Sequence, residues 1–112
     1  MSYAPWLSLT MAIISEVGGT IFLKYSSGFK IWYFSVLSIT LYGLAIFLLS
    51  LSLEAIELGI AYSIWSGVGT AAAVILGVYL FQEPLLVIQY VGIVVIVGGV
   101  VLINVGPLMF LK

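Results

Sequence analysis

The chain has 112 residues, of which 64% are hydrophobic and only 6% charged, and its formal charge is −1. Soluble domains carry about a quarter charged residues, so a mean hydropathy of +1.37 excludes a water-clothed surface and indicates an integral membrane protein. Without cysteine or histidine, disulfide scaffolds and the common zinc constellations are excluded, and no basic patch is offered to a nucleic acid.

The opening "MSYAPWLSLT" lacks a positive n-region, and the apolar run after it is long enough to span, so no cleavable signal is expected. Charges and turn residues then cut four apolar segments. The first covers roughly residues 4–23 and ends at the polar turn "KYSSGFK". It carries one acid, Glu16, about 18 Å along a helix begun at Ala4 and therefore near the membrane midplane. An ionised carboxylate there costs roughly 3 kcal/mol or more, so such residues normally face a bundle interior or a wet cavity and do work. The bland alternative is a permanently protonated acid bonded to Ser15 or to a neighbouring helix. No basic residue lies at similar depth, so a working Glu16 must take its partner, a proton or a cation, from outside the chain. Leu9, Ala12, Ile13, Gly19, Thr20 and Leu23 share its helical face. The small residues among them leave room for a ligand beside the acid, or serve plain helix packing. Thr20 is placed to donate to Glu16 or to a substrate.

The second segment covers roughly residues 31–53 and closes at "EAIE". Tyr42 is its mid-span phenol, a candidate partner for Glu16 or ligand, whereas Trp32, Tyr33 and Phe34 have the position of interfacial anchors. The third, roughly residues 58–81, stops at "QEP" and contains "GIAYSIWSGVGT". Tyr62 and Trp65 share a face with Ser66 beside it, and aromatic faces attract cations by about 0.5–2 kcal/mol each. Their depth favours a pocket over an aromatic belt. Gly67 and Gly69 either weaken the helix into a kink or allow close packing. The fourth, roughly residues 85–105, ends at "NVGP" and has no ionisable group; Gly92 and Gly99 lie on one stripe and predict a dimer contact. Glu54, Glu57 and Glu83 read as solvated helix-end charges.

Each segment is near the ~20 residues needed to cross a bilayer, and helices satisfy every backbone group internally. The expected class is therefore an all-α, integral membrane four-transmembrane-helix bundle occupying residues 1–112 as a single domain. Four spans put Lys24 and Lys30 on one side against Lys112 on the other, which leaves the positive-inside rule little to act on. Either those two lysines fix one orientation, or the chain inserts both ways. Four short helices scarcely wrap a pathway, and no internal repeat is evident, so a path would lie between two copies.

"SEVGGTIFLKYSSGF", "GIAYSIWSGVG" and the glycine-bearing fourth segment ending in "VLIN" resemble, in order and spacing, the small multidrug resistance family across essentially the whole chain. The resemblance implies a multi-pass exporter of the bacterial inner membrane, working as a dual-topology antiparallel homodimer that exchanges protons for cationic compounds, with no cofactor, no metal and no enzymatic chemistry. It implies that Glu16 is the shared proton and substrate carboxylate. Leu9, Ala12, Ile13, Gly19 and Thr20 would form the first-helix binding face, and Tyr42, Tyr62 and Trp65 the pocket aromatics, with Ser66 alongside. Gly67 and Gly69 would be the kink, and Gly92 and Gly99 the dimerisation stripe. Gly19 stands where the guanidinium-exporting branch tends to carry Trp, so the resemblance is to the quaternary-ammonium and multidrug branch. Ser15 and Ile46 depart from the family's usual small apolar and aromatic residues. A guanidinium or polyamine exporter, a paired heterodimer with a homologue, and a non-transporting assembly subunit are the alternatives.

Overall fold

The computed structural model describes residues 4–110, and Lys112 lies outside the described residues. It contains four α-helices, α1 (Ala4–Tyr25), α2 (Trp32–Leu53), α3 (Leu58–Phe81) and α4 (Val87–Phe110), with no strand among the described residues. All four are long and apolar enough to cross a membrane, which bears out the all-α, four-span class. They form two compact units, one built from α1 and α2 and the other from α3 and α4.

In the first unit the helix ends differ slightly from those the sequence predicts, and Ser26 supplies the reason. α1 runs two residues past Leu23 because Ser26 continues the ladder, its N–H donating to Phe22 O at 2.9 Å. Ser26 then stops the helix. Its hydroxyl donates to Leu23 O at 2.6 Å and accepts from the Phe29 N–H at 3.1 Å. Its carbonyl accepts from the N–H groups of Lys30 and Ile31 at 2.9 and 3.0 Å. Those bonds hold Ser27, Gly28 and Phe29 at φ 53°, 71° and 69°, a left-handed run that costs the two non-glycine residues about 1–2 kcal/mol each. Beside this turn, Phe34 stacks on Phe22 and Tyr25 at 5.9 and 5.5 Å, and Tyr33 lies 4.8 Å from Phe34. With Lys24 and Lys30 next to them, these rings have the composition of an interfacial anchor.

Between turns, α1 and α2 are joined by small residues and hydroxyls. Apolar attraction contributes little between helices in lipid, so close approach and hydrogen bonds to carbonyls hold them. Ser8 Oγ donates to Leu48 O at 2.6 Å, and Ser38 Oγ donates to Gly19 O at 2.8 Å. A Cβ on Gly19 would lie 3.2 Å from Ser38 O, 3.3 Å from Tyr42 Cδ1 and 3.4 Å from Leu41 Cβ, so only glycine permits this approach without displacement.

In the second unit α3 and α4 meet at Gly67, where a Cβ would come within 2.6 Å of Val100 Cγ2. The connection departs from α3 through Gln82 at φ 51°, after which the Glu83 N–H donates to Gly77 O at 3.1 Å. Glu83 is exposed, as expected of a helix-end charge, but its carboxylate folds back over Gly77. α4 begins at Val87, two residues later than predicted, because Gln89 Oε1 accepts the Leu86 N–H at 2.7 Å in half of a capping box. The predicted end at Val105 is also corrected. α4 continues through Pro107 to Phe110, since proline's fixed φ is already helical and a membrane helix tolerates one missing backbone bond.

Candidate functional site

Among the charged residues that the structure describes, Glu16 alone occupies a helix interior. Lys24 lies in the last turn of its own helix, about 12 Å further along the axis. Glu16 is half-buried, and one turn on stands Thr20, whose side chain organises the site. Thr20 Oγ1 lies 3.0 Å from Glu16 O, 3.1 Å from Glu16 Oε2 and 2.6 Å from the hydroxyl of Tyr42 on α2. The sequence predicts Thr20 as a donor to Glu16 or to a substrate, and the structure places its hydroxyl within hydrogen-bonding distance of the acid. Tyr42, expected as a direct partner of Glu16 or ligand, reaches the acid through Thr20.

The single hydroxyl proton of Thr20 restricts how these three groups can be wired. An ionised carboxylate only accepts. Thr20 must then donate to Glu16, and Tyr42 must donate to Thr20. When Glu16 is protonated, its O–H can donate to Thr20, and Thr20 can turn its proton to Tyr42. Either wiring keeps the three side chains linked, with the Thr20 proton shared with the Glu16 backbone carbonyl in the first, so the relay accommodates either state of the acid while the heavy atoms stay in place.

The other residues expected on the α1 face have a different environment. Leu9, Ala12, Ile13 and Gly19 are buried within the chain, as is Ser15, and only Glu16 and Thr20 on that face retain partial exposure besides Leu23. Gly19 packs against α2, so at that position the close-packing alternative is what the hairpin displays. Ile46 is exposed on α2.

Within the second unit, Tyr62 is 60% exposed, Ser66 is exposed, and Trp65 is half-buried, all on α3. Tyr62 lines an open, almost wholly apolar groove of about 680 Å³ with Leu58, Gly59, Ser63 and Ile103. Its ring is thus presented for contact, as a cation-binding aromatic requires. Gly67 and Gly69 are buried in a helix that continues without a break to Phe81. At Gly92 and Gly99 a Cβ would meet nothing within 4 Å, so the stripe is not used in packing α3 against α4 within the second unit.

Ser38 was not foreseen from the sequence. It stands one turn before Tyr42 and grips the peptide that precedes Thr20. The available signal was the four-residue spacing of Ser38 and Tyr42 opposite a glycine.

An acid inside a helix long and apolar enough to span, with a neutral hydroxyl as its side-chain partner, is the kind of intramembrane ionisable group that marks a functional site in a membrane protein. The comparisons with known proteins agree with that class. The family model described as Small Multidrug Resistance protein matches residues 4–96. The Multidrug resistance protein EbrA of Bacillus licheniformis is 46% identical over 101 residues, covering 90% of this chain and 96% of EbrA. The Quaternary ammonium compound-resistance protein QacE of Escherichia coli is 40% identical over 99 residues, covering 88% of this chain and 90% of QacE. The Nicotine metabolites export pump subunit NepB of Paenarthrobacter nicotinovorans is 36% identical over 99 residues, covering 88% of this chain and 60% of NepB. The chain belongs to the small multidrug resistance family and is a multi-pass membrane protein.

Proposed function

We propose that this protein is a proton-coupled antiporter that exports hydrophobic and quaternary ammonium cations across the bacterial plasma membrane. The observation that carries the reading is the Glu16–Thr20–Tyr42 relay, an acid with hydrogen-bond partners suited to both of its protonation states and, among the described residues, with no basic residue in a helix interior beside it. A cation bound at the ionised carboxylate displaces the proton, and a proton bound from the other side displaces the cation. Tyr62 and Trp65 supply aromatic faces for a flat or quaternary cation. The names of EbrA and QacE, a multidrug resistance and a quaternary ammonium compound-resistance protein, support the substrate class. So does Gly19, because the seam with Ser38, Leu41 and Tyr42 has no space for the tryptophan associated with guanidinium exporters.

The working unit in this reading is an antiparallel homodimer of dual topology, with two Glu16 side chains sharing one site. The glycine stripe at Gly92 and Gly99 is its contact. A paired heterodimer is the second reading, favoured by the word "subunit" in the name of NepB.

Binding of tetraphenylphosphonium and of guanidinium to the purified protein tests the proposal. Tetraphenylphosphonium is expected to bind more tightly as pH rises, approaching about tenfold per pH unit for each proton displaced. Glu16→Gln is expected to abolish binding while the dimer persists. Binding that ignores pH, or that survives Glu16→Gln, refutes the exchange mechanism. Selective binding of guanidinium refutes the substrate class alone.

A further inference from the structure

We propose that Ser38 is a positioning residue for the exchange site: its buried hydroxyl holds α2 at the height on α1 where Tyr42 closes the relay onto Thr20 and Glu16. This rests on the antiporter reading above and extends it to a residue outside the binding set.

Ser38 is 0% exposed, and its Oγ donates to the carbonyl of Gly19 at 2.8 Å. That carbonyl belongs to the peptide joining Gly19 to Thr20, so the bond grips α1 immediately before the relay hydroxyl. Ser38 and Tyr42 lie one turn apart on α2, about 6 Å along its axis, and both meet α1 across the same seam. Gly19 lets that seam close, since a Cβ there would press on the Ser38 carbonyl and the Tyr42 ring.

The neighbouring serines do not do this. Ser35 donates to Ile31 O, Ser50 to Phe47 O and Ser52 to Leu49 O, all within α2 or its own approach. Ser8 does cross to Leu48, but it stands eleven residues, about 17 Å, from Gly19. Near the relay, Ser38 therefore provides the crossing bond that is independent of the relay itself. Its effect is amplified by a narrow tolerance. The Thr20–Tyr42 contact is 2.6 Å, so a slip of α2 that lengthens it by about 1 Å takes Tyr42 out of hydrogen-bonding range and removes it from the relay. In lipid little hydrophobic force opposes such a slip.

The test is a double-mutant cycle on tetraphenylphosphonium affinity, measured at one alkaline pH on the solubilised dimer, with Glu16→Gln as the non-binding reference. Ser38→Ala and Tyr42→Phe are each expected to weaken binding by about five- to tenfold, the scale of one hydrogen bond. The double variant is expected to bind no worse than Tyr42→Phe alone, because each change removes the same contribution. Ser38→Cys, which keeps the volume with a weaker donor, is expected to fall between wild type and Ser38→Ala. It takes the place of Ser38→Ala in the cycle should that variant not assemble. Multiplying effects in the double variant overturn the proposal, because a purely structural loss at Ser38 leaves the cost of Tyr42→Phe unchanged. So does a Ser38 variant with wild-type affinity. If wild type binds no cation, or Glu16→Gln still does, the antiporter reading falls and this proposal with it.

Discussion

Gly67→Ala separates the two roles that the sequence leaves open for "GVG", a hinge or a point of close approach. An ideal Cβ at Gly67 lies 2.6 Å from Val100 Cγ2 and 3.6 Å from Ile96 Cγ2. Carbon atoms sit best about 3.5–4.0 Å apart, so the added methyl must separate the helices locally by about 1 Å or rotate Val100. Valine has one strongly preferred helical rotamer, so rotation is resisted. Overpacking of this kind costs about 1–3 kcal/mol, and alanine returns about 1 kcal/mol of helix propensity, leaving a net loss of about 1 kcal/mol. Val100→Ala removes the colliding atom, and Gly67→Ala/Val100→Ala is expected to be at least as stable as Val100→Ala alone. The assay is equilibrium unfolding by sodium dodecyl sulfate in mixed micelles, followed by far-ultraviolet circular dichroism. If Val100→Ala fails to relieve Gly67→Ala, close approach is not why glycine is there. The hinge then becomes the better account, and an export defect in both variants at unchanged stability would say so directly.

Three further outcomes are expected. Thr20→Val keeps the shape of the side chain but removes the centre of the relay, and should weaken tetraphenylphosphonium binding by about tenfold or more, whereas Thr20→Ser should stay within about twofold of wild type; equal affinity for Thr20→Val and wild type would remove Thr20 from the mechanism. Gly77→Ala meets only the carboxylate tip of exposed Glu83 and gains the same helix propensity of up to about 1 kcal/mol, so in the same unfolding assay it should be no less stable than wild type, and a loss as large as that of Gly67→Ala would contradict the placement of that side chain. Gln89→Ala deprives the Leu86 N–H of its acceptor and should cost about 0.5–1 kcal/mol, with amide exchange at the start of α4 accelerated; unchanged exchange there would mean the cap does not hold.

The number of helices and their type were legible because they depend on one strong quantity, the cost of open backbone in lipid, and the matching cost of charge there is what singles out Glu16 as the candidate. Thr20 was legible too, since a four-residue spacing along one helix needs no knowledge of tertiary structure. Ser38 was not. A serine in a membrane helix commonly returns its hydroxyl to its own backbone, as Ser35, Ser50 and Ser52 do. Which serine crosses instead depends on the rotation of α2 against α1, and a nearly uniformly apolar helix carries no periodic signal for that rotation. Helix ends were displaced for local reasons, Ser26 extending α1, Gln89 delaying α4, and Pro107 failing to end it. The mid-membrane packing role of Gly67 required Val100 opposite it, a pairing that only the folded chain reveals.

The choice of hydroxyls rather than a base around Glu16 has its own physical logic. A lysine or arginine at the same depth would lower the cost of the ionised acid, but it would do so permanently, occupying the carboxylate against proton and substrate alike. Leaving the acid with no polar partner has the opposite fault, since desolvation then holds it in the neutral form. A threonine that can donate or accept, backed by a phenol with the same property, lies between these limits. Thr20 donates to the ionised acid while Tyr42 donates to Thr20, and Thr20 accepts from the neutral acid while turning its proton to Tyr42, at heavy-atom positions that need not change. In the antiporter reading, that versatility is what lets a proton and a cation take turns at one carboxylate. It depends on alignment of two helices to within about 1 Å, which places the demand for precision on Gly19 and Ser38 rather than on the acid itself.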